Sequence, residues 1–596
     1  MTAPEVFTLP AIAAFHAAGG SPVAVAEAAL ARIEAWADPA LFLARVPPEA
    51  VRARAAALAA EGPRGRALYG VPFVVKDNID VAGLPTTAAC PAFAYSPAED
   101  APAVARLLAA GAVLLGKTNL DQFATGLNGT RSPHGTPRNP VAPGCIPGGS
   151  SSGSATAVAA GIAGFSLGTD TAGSGRVPAM ANNIVGLKPS LGLVPTQGVV
   201  PACRSLDCVS VFALTVEDAA TVLGVIAGPS PEDRYARPAP AGWQARPAPQ
   251  PAWRLAASLP EHLVFDSPED AALYEAALAR AALGGSVTRV DLAPFLAIAR
   301  RLYDGAWVAE RTAALRGMVE DRPEALHPVT RGILAAGLEK RTIEAWEDFH
   351  AAAEARRLAR ALFAAADILV LPTAPGLPDL ATLTAEPVAA NSRLGTYTNF
   401  VNICDLSALA VPAGFRANGR PAGVTLVGPA FAEARLAGLG AMLHAAAGVA
   451  LGASTAPVPP PPGPPPLAPD ELPLLAIGAH MAGLPLNLQL RGHGGRFLRA
   501  ARTAPLYRLH DLGNRPGLVR VASGGVAVAG ELWALPAAGI GPFLAEIPPP
   551  LGFGRVTLED GSTPLGFLCE AAGVIDAPDI SALGGWRAHL QSRKEG

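Results

Sequence analysis

The stretch PGGSSSGSATAVAAGIAGFSLGTDTAGSGRVP, residues 147–178, decides the reading of this chain. Two serine-bearing glycine turns, Gly148-Gly149-Ser150-Ser151 and Ala172-Gly173-Ser174-Gly175, bracket a run of small apolar residues. Glycine lets the backbone take positive φ, so successive N–H groups can converge on one point. A protein can build an oxyanion pocket from main chain alone in this way. Serine hydroxyls held at two such turns can lie close enough to pass a proton. Between the turns, residues 155–163 read as a tightly packed small-residue helix and 164–168 as a strand.

Working outward, the apolar run 71–75 reads as a buried strand that ends on Lys76. Burying an ammonium is costly. Lys76 therefore either snorkels to water or is held with a lowered pKa, as a base. Residues 8–60 read as helical, starting with a Ser21-Pro22 cap. A helix over 101–110, a strand over 112–115 and a turn over 116–119 continue an α/β alternation. The turn-rich loop 123–140 either lines a site or varies at the surface, and His134 within it reads as a loop hydrogen-bonder. Downstream, 182–190 is a strand, helices and short strands alternate over 213–390, and 398–407, 410–414 and 421–428 supply the last strands. One helix around 296–318 would place Tyr303 and Arg311, eight apart, near one face. Facing a cleft, the pair could hold a carboxylate through the arginine fork. Facing elsewhere, they are a core tyrosine and a solvated arginine.

At 596 residues the chain exceeds one typical domain. The proline-rich run 456–470 reads as an extended linker. It divides a large unit, 1–455, from a smaller strand-rich unit, 471–596. Half of the residues are apolar, 16% are charged and the net charge is −3, which argues against a nucleic-acid or membrane-surface partner. The first residues lack a signal-peptide pattern, no apolar run reaches membrane-span length, and the six cysteines are scattered. These features lead us to expect a cytoplasmic, metal-free and cofactor-free protein with free thiols.

A Ser-His-Asp hydrolase needs a histidine base, and near the serine turns the sequence offers only His134. It does offer Lys76, Ser150 and Ser174. A neutral lysine can serve as base while one serine relays the proton of the other. Here the motifs VPFVVKDN (71–78), PGGSSSGSA (147–155) and GTDTAGSGRVPA (168–179) resemble the amidase signature family of Ser-cisSer-Lys hydrolases. The resemblance implies a mixed central sheet covered by helices over about residues 8–450. It makes Ser174 the nucleophile and Ser150 the bridging serine after a cis Gly149–Ser150 bond. Lys76 becomes the base, and the N–H groups of Thr171, Ala172, Gly173 and Ser174 the oxyanion hole. Gly126 and Ser151 belong to the substrate side, Ser151 lending support through its hydroxyl. Ser152 stands where the family commonly has glycine.

Within that family the chain resembles the allophanate-hydrolysing branch, through TAGSGRVP, LYDGAWVAER (302–311) and an appended C-terminal part. That part carries GAHMAGLPLNLQL, YRLHDLG, GELWALP and PLGFGRVTLEDG. The resemblance implies that Tyr303 and Arg311 bind the allophanate carboxylate and that His480 serves a second step. It also implies a homodimer, and a urea carboxylase acting upstream. A general amidase acting on other small amides would share the lysine and serines without needing Arg311.

Overall fold

The computed structural model describes residues 1–240, 242–461, 463 and 466–595. Eleven strands form one mixed sheet: β1 (Phe42–Arg45), β2 (Pro72–Lys76), β3 (Val113–Thr118), β4 (Phe165–Asp170), β5 (Val185–Lys188), β6 (Cys208–Ala213), β7 (Trp253–Ser258), β8 (Gly285–Val290), β9 (Ile368–Pro372), β10 (Leu406–Phe415) and β11 (Pro421–Pro429). Their order is β1-β3-β2-β4-β6-β5-β10-β11-β9-β7-β8. β2 lies between parallel β3 and β4 and is buried along its whole length, as its unbroken apolar run requires. The helix Ser152–Ala159 is buried at every position, and only its small side chains allow so close a fit.

Several sequence expectations are corrected here. The 8–60 region is not helical throughout, because β1 interrupts it and pairs antiparallel with β3. That pairing extends β3 through Gly116, Lys117 and Thr118, where a turn was expected. Residues 399–403 form a short helix, so only the end of 398–407 enters β10. The expected 296–318 helix is broken. It consists of Ala293–Asp304 and Trp307–Ala314, joined at Gly305 and Ala306. Asp348 causes the break: its carboxylate accepts the Ala306 N–H at 2.6 Å and pairs with Arg301.

The second sheet comes from the C-terminal part: β12 (Glu471–Ala476), β13 (Arg496–Arg502), β16 (Ala529–Pro536), β17 (Leu551–Arg555) and β18 (Leu565–Cys569), ordered β13-β16-β12-β18-β17. A hairpin of β14 (Tyr507–Asp511) and β15 (Pro516–Arg520) accompanies it. Trp533, Leu474, Tyr507 and Val556 lie in the core of this part. Asp367, just before β9, joins the two parts: it binds Arg254 at 2.9 Å and Arg491 of the C-terminal part at 2.7 Å. Among the described residues no helix is long and apolar enough to cross a membrane, and all six cysteines are buried and unpaired.

Candidate active site

The parallel register sets Val75 beside Leu167, so Lys76 emerges at the carboxyl end of β2 next to the end of β4. Open α/β sheets build their sites at such strand ends. Lys76 is fully buried and donates to Ser150 Oγ and to Thr169 Oγ1, both at 2.7 Å. Ser150 Oγ donates in turn to Ser174 Oγ at 3.0 Å. Lysine and both serines therefore form one continuous hydrogen-bonded chain. Burial, only partly offset by the negative charges of Asp121, Asp207 and Asp170, lowers the Lys76 pKa to about 7. Of the two readings open for Lys76, the buried lysine with a lowered pKa is the one found. The Gly149–Ser150 peptide is cis. A Cβ at Gly149 would lie 2.1 Å from Asp121 Oδ2, so no larger residue fits there.

Asp170 shapes the second turn. Its carboxylate accepts the N–H groups of Gly173 and Gly175, each at 2.9 Å. It also forms a two-pronged ion pair with Arg176 at 2.8 and 2.9 Å, fully buried on both sides. Burial opposes its ionisation, but Arg176 outweighs this and the pKa is lowered. The Gly173 N–H is thereby occupied, which corrects the expected four-donor oxyanion hole. The N–H groups of Thr171, Ala172 and Ser174 have no hydrogen-bond partner among the described residues. The Ser151 hydroxyl is engaged by main chain: it donates to Thr169 O at 3.2 Å and accepts the Thr169 N–H at 3.3 Å. It braces the strand end that holds Lys76. The Thr171 hydroxyl donates to Asp207, whose pKa burial raises to about 6.

The loop 123–140 does line this site. Gly126 O lies 3.5 Å from Ser174 Oγ. Asp121 fixes the loop by accepting the N–H groups of Asn128 (3.2 Å), Gly129 (3.0 Å) and Arg131 (2.9 Å). His134 is exposed, and no contact ties it to Lys76, Ser150 or Ser174. Although the two helices are separate, Tyr303 and Arg311 meet: the guanidinium carbon lies 5.0 Å from the Tyr303 ring centre. Arg311 is only 1% exposed. Its Nη1 lies 3.5 Å from Thr125 Oγ1, one residue from Gly126, while Nε and Nη2 are buried without a partner. Arg131, also buried, donates to Thr125 O at 2.9 Å. Neither arginine forms an ion pair among the described residues.

Sequence reasoning missed Asp121, Thr169, Asp170, Arg176, Asp207 and Arg131. Only Asp170 and Arg176 carried a usable signal, an acid and a base flanking the glycine turn at a spacing that folds them together. In the C-terminal part, His480 lines a cavity of about 220 Å³ with Gln489, Arg515 and Glu546. Its Nε2 lies 3.1 Å from Gln489 Oε1 and its ring stacks on Phe567, with centres 4.9 Å apart. Burial lowers its pKa. Among the described residues no cluster of three or more His, Cys, Asp or Glu is arranged to hold a metal ion.

The amidase family profile matches residues 24–437, and the chain belongs to that family of amide hydrolases. The allophanate hydrolase C-terminal domain matches residues 472–591. The structure is similar to that of Kluyveromyces lactis allophanate hydrolase, with a TM-score of 0.79 and 38% identity over 98% of this chain and 99% of that one. A urea amidolyase of Saccharomyces cerevisiae is 40% identical over 549 residues, which is 89% of this chain and 30% of the yeast protein. The chain thus spans about a third of the length of the urea amidolyases it matches. A glutamyl-tRNA(Gln) amidotransferase subunit from Thermotoga maritima is a more distant likeness, at TM-score 0.56 and 27% identity over 67% of this chain and 87% of that one.

Proposed function

We propose that this chain hydrolyses allophanate, urea-1-carboxylate, through a serine acyl-enzyme. The observation that carries the reading is Arg311. It is a buried guanidinium with two donor nitrogens unpartnered, and its third lies against Thr125, the neighbour in sequence of Gly126, whose carbonyl touches Ser174. An unpaired buried cation is costly, and a substrate carboxylate would satisfy it two-pronged. With the carboxylate on Arg311 beside Tyr303, a short substrate would extend past Thr125 and Gly126 toward Ser174. Similarity to allophanate hydrolase over both parts of the chain supports the same substrate.

Ser174 Oγ attacks the terminal amide carbonyl. Its proton passes to Ser150 Oγ while the Ser150 proton passes to neutral Lys76 Nζ. The N–H groups of Thr171, Ala172 and Ser174 stabilise the developing oxyanion. The proton returns along the same chain to the leaving nitrogen, and ammonia departs. Water, deprotonated by the same route, releases N-carboxycarbamate. His480 is the candidate for assisting its decarboxylation, which ends in a second ammonia and carbon dioxide. In this reading residues 1–455 and 471–596 form two working units, and a urea-carboxylating enzyme supplies the substrate. Relatedness to urea amidolyases supports that supply. A cytoplasmic homodimer completes the reading, tested by light scattering for twice the 60.3 kDa chain mass.

The deciding measurement is ammonia release from allophanate, malonamate and a neutral amide. Wild type should release it strongly from allophanate and Ser174→Ala not at all. Arg311→Ala should lose allophanate while keeping the neutral amide. Equal loss on both substrates would remove the carboxylate-anchor role.

A further inference from the structure

A cavity of about 320 Å³ opens between the two parts of the chain, within the size range of small-ligand sites. Trp243, Gln250 and Arg435 line it from the large part, and Leu488, Arg491 and Phe497 from the C-terminal part. No Asp or Glu is among its described lining residues. Asp367 is the single carboxylate shared by Arg254 (2.9 Å) and Arg491 (2.7 Å), so that arginine pair keeps one unmatched positive charge, while Glu433 behind the wall accepts the Trp243 Nε1–H at 2.9 Å. Arg491 is 8% exposed at its side chain, and its Nη2 is buried without a partner. Gln250 Oε1 is likewise buried without a partner and calls for a donor. Arg496, which also lines the cavity, is matched by Glu471 at 2.7 Å.

We infer that this cleft is a second ligand site, specific for a small carboxylate that also carries an amide N–H. A carboxylate in the cleft pairs with Arg491, whose buried Nη2 lacks a partner, and with Arg435 of the same lining, while its N–H answers the buried Gln250 Oε1. The helix Asn487–Gly492 contributes Arg491 to this cleft and Gln489 to the His480 cavity. Occupancy of the cleft therefore bears directly on the element that holds His480, and it bridges the two parts. The site stands apart from Lys76, Ser150 and Ser174 and does not rest on the proposed reaction.

The test is calorimetric titration of malonamate, a carboxylate with an amide N–H, into the full chain at low ionic strength. The Ser174→Ala variant prevents turnover, and Ser174→Ala/Arg311→Ala also disables the amide site. One site should remain in the double variant. Adding Arg435→Ala or Arg491→Ala should weaken it at least about tenfold, with thermal melts showing that each variant is folded. Inorganic phosphate, lacking the N–H, should bind more weakly than malonamate. The inference is overturned by absence of binding at millimolar malonamate in the double variant. It is overturned equally by binding that both arginine variants leave unchanged, or by binding that only His480→Ala removes. A Ser174→Ala variant that binds malonamate at the cleft alone, with no second site despite an intact Arg311, would instead count against the proposed function.

Discussion

Lys76 ends an apolar strand with its ammonium fully enclosed, and its pKa near 7 fixes two responses to pH. With Lys76 as the proposed base, catalysis needs the neutral amine, so kcat/KM for allophanate should rise with pH through an inflection near 7. A profile flat from pH 6 to 8 would remove Lys76 from the role of base. Stability follows the same group. The folded pKa is about 7 against an ordinary 10.5, so between those values the unfolded chain holds more protons. Resistance to urea should therefore climb with pH across that interval, by less than about 1.4 kcal/mol per unit from this group. Lys76→Met should flatten that portion of the curve and abolish activity. Gly173 supplies another residue-scale prediction. Its φ is +137°, and an added Cβ would lie 2.4 Å from Thr398 Oγ1. Gly173→Ala should lower kcat by roughly a hundredfold or more by displacing the turn that carries Ser174, as read from steady-state ammonia release. Lys76, Ser150 and Ser174 were legible because each stands in an unusual local context, a charge after an apolar strand or a serine in a glycine turn. Asp121, Thr169 and Asp207 were not. Their importance comes from neighbours distant in sequence, which no local pattern announces.

At the scale of elements, the joint at Gly305 and Ala306 decides whether Tyr303 and Arg311 meet. A Cβ at Gly305 would lie 2.3 Å from Asp348 Oδ2 and 2.6 Å from Arg301 O. Gly305→Ala should thus disturb the angle between the two helices, raising KM for allophanate while leaving a neutral amide nearly unaffected. An equal effect on both substrates would contradict this. The buried Asp170–Arg176 pair ties β4 to the turn that carries Ser174, and Arg176→Met leaves the Asp170 carboxylate unpaired. A loss of about 3–5 kcal/mol is expected from chemical denaturation. One helix over 296–318 puts Tyr303 and Arg311 near one face; the two side chains do meet, but from two helices. Asp348 lies more than forty residues on, and its capture of the Ala306 N–H is a tertiary event that overrides local helical preference. The same holds for β1, whose sequence reads as helix but whose backbone completes the edge of β3.

Across the whole molecule, the proline-rich run was the plainest feature in the sequence, and the large mixed sheet and smaller second sheet lie on either side of it. Strands β13, β14 and β18 are hard to read because arginines interrupt RFLRAAR, YRLHD is only five residues long and LGFLC carries a glycine. Contact between the two parts was also illegible, since Asp367 and Arg491 gave no hint of each other. If His480 serves the second step, His480→Ala should slow carbon dioxide release while leaving the first ammonia unchanged, as followed by parallel assays of both products. A residues 1–455 fragment should behave likewise. Lys76 has one more consequence, felt by the surroundings of the protein. Complete conversion of allophanate to ammonium and bicarbonate takes up one proton per molecule consumed. In a weakly buffered medium at or below neutrality, each turnover then nudges the solution toward the pH at which more Lys76 is neutral. With Lys76 as the proposed base, the reaction should then accelerate itself until its substrate is spent or the pH passes the titration of that lysine.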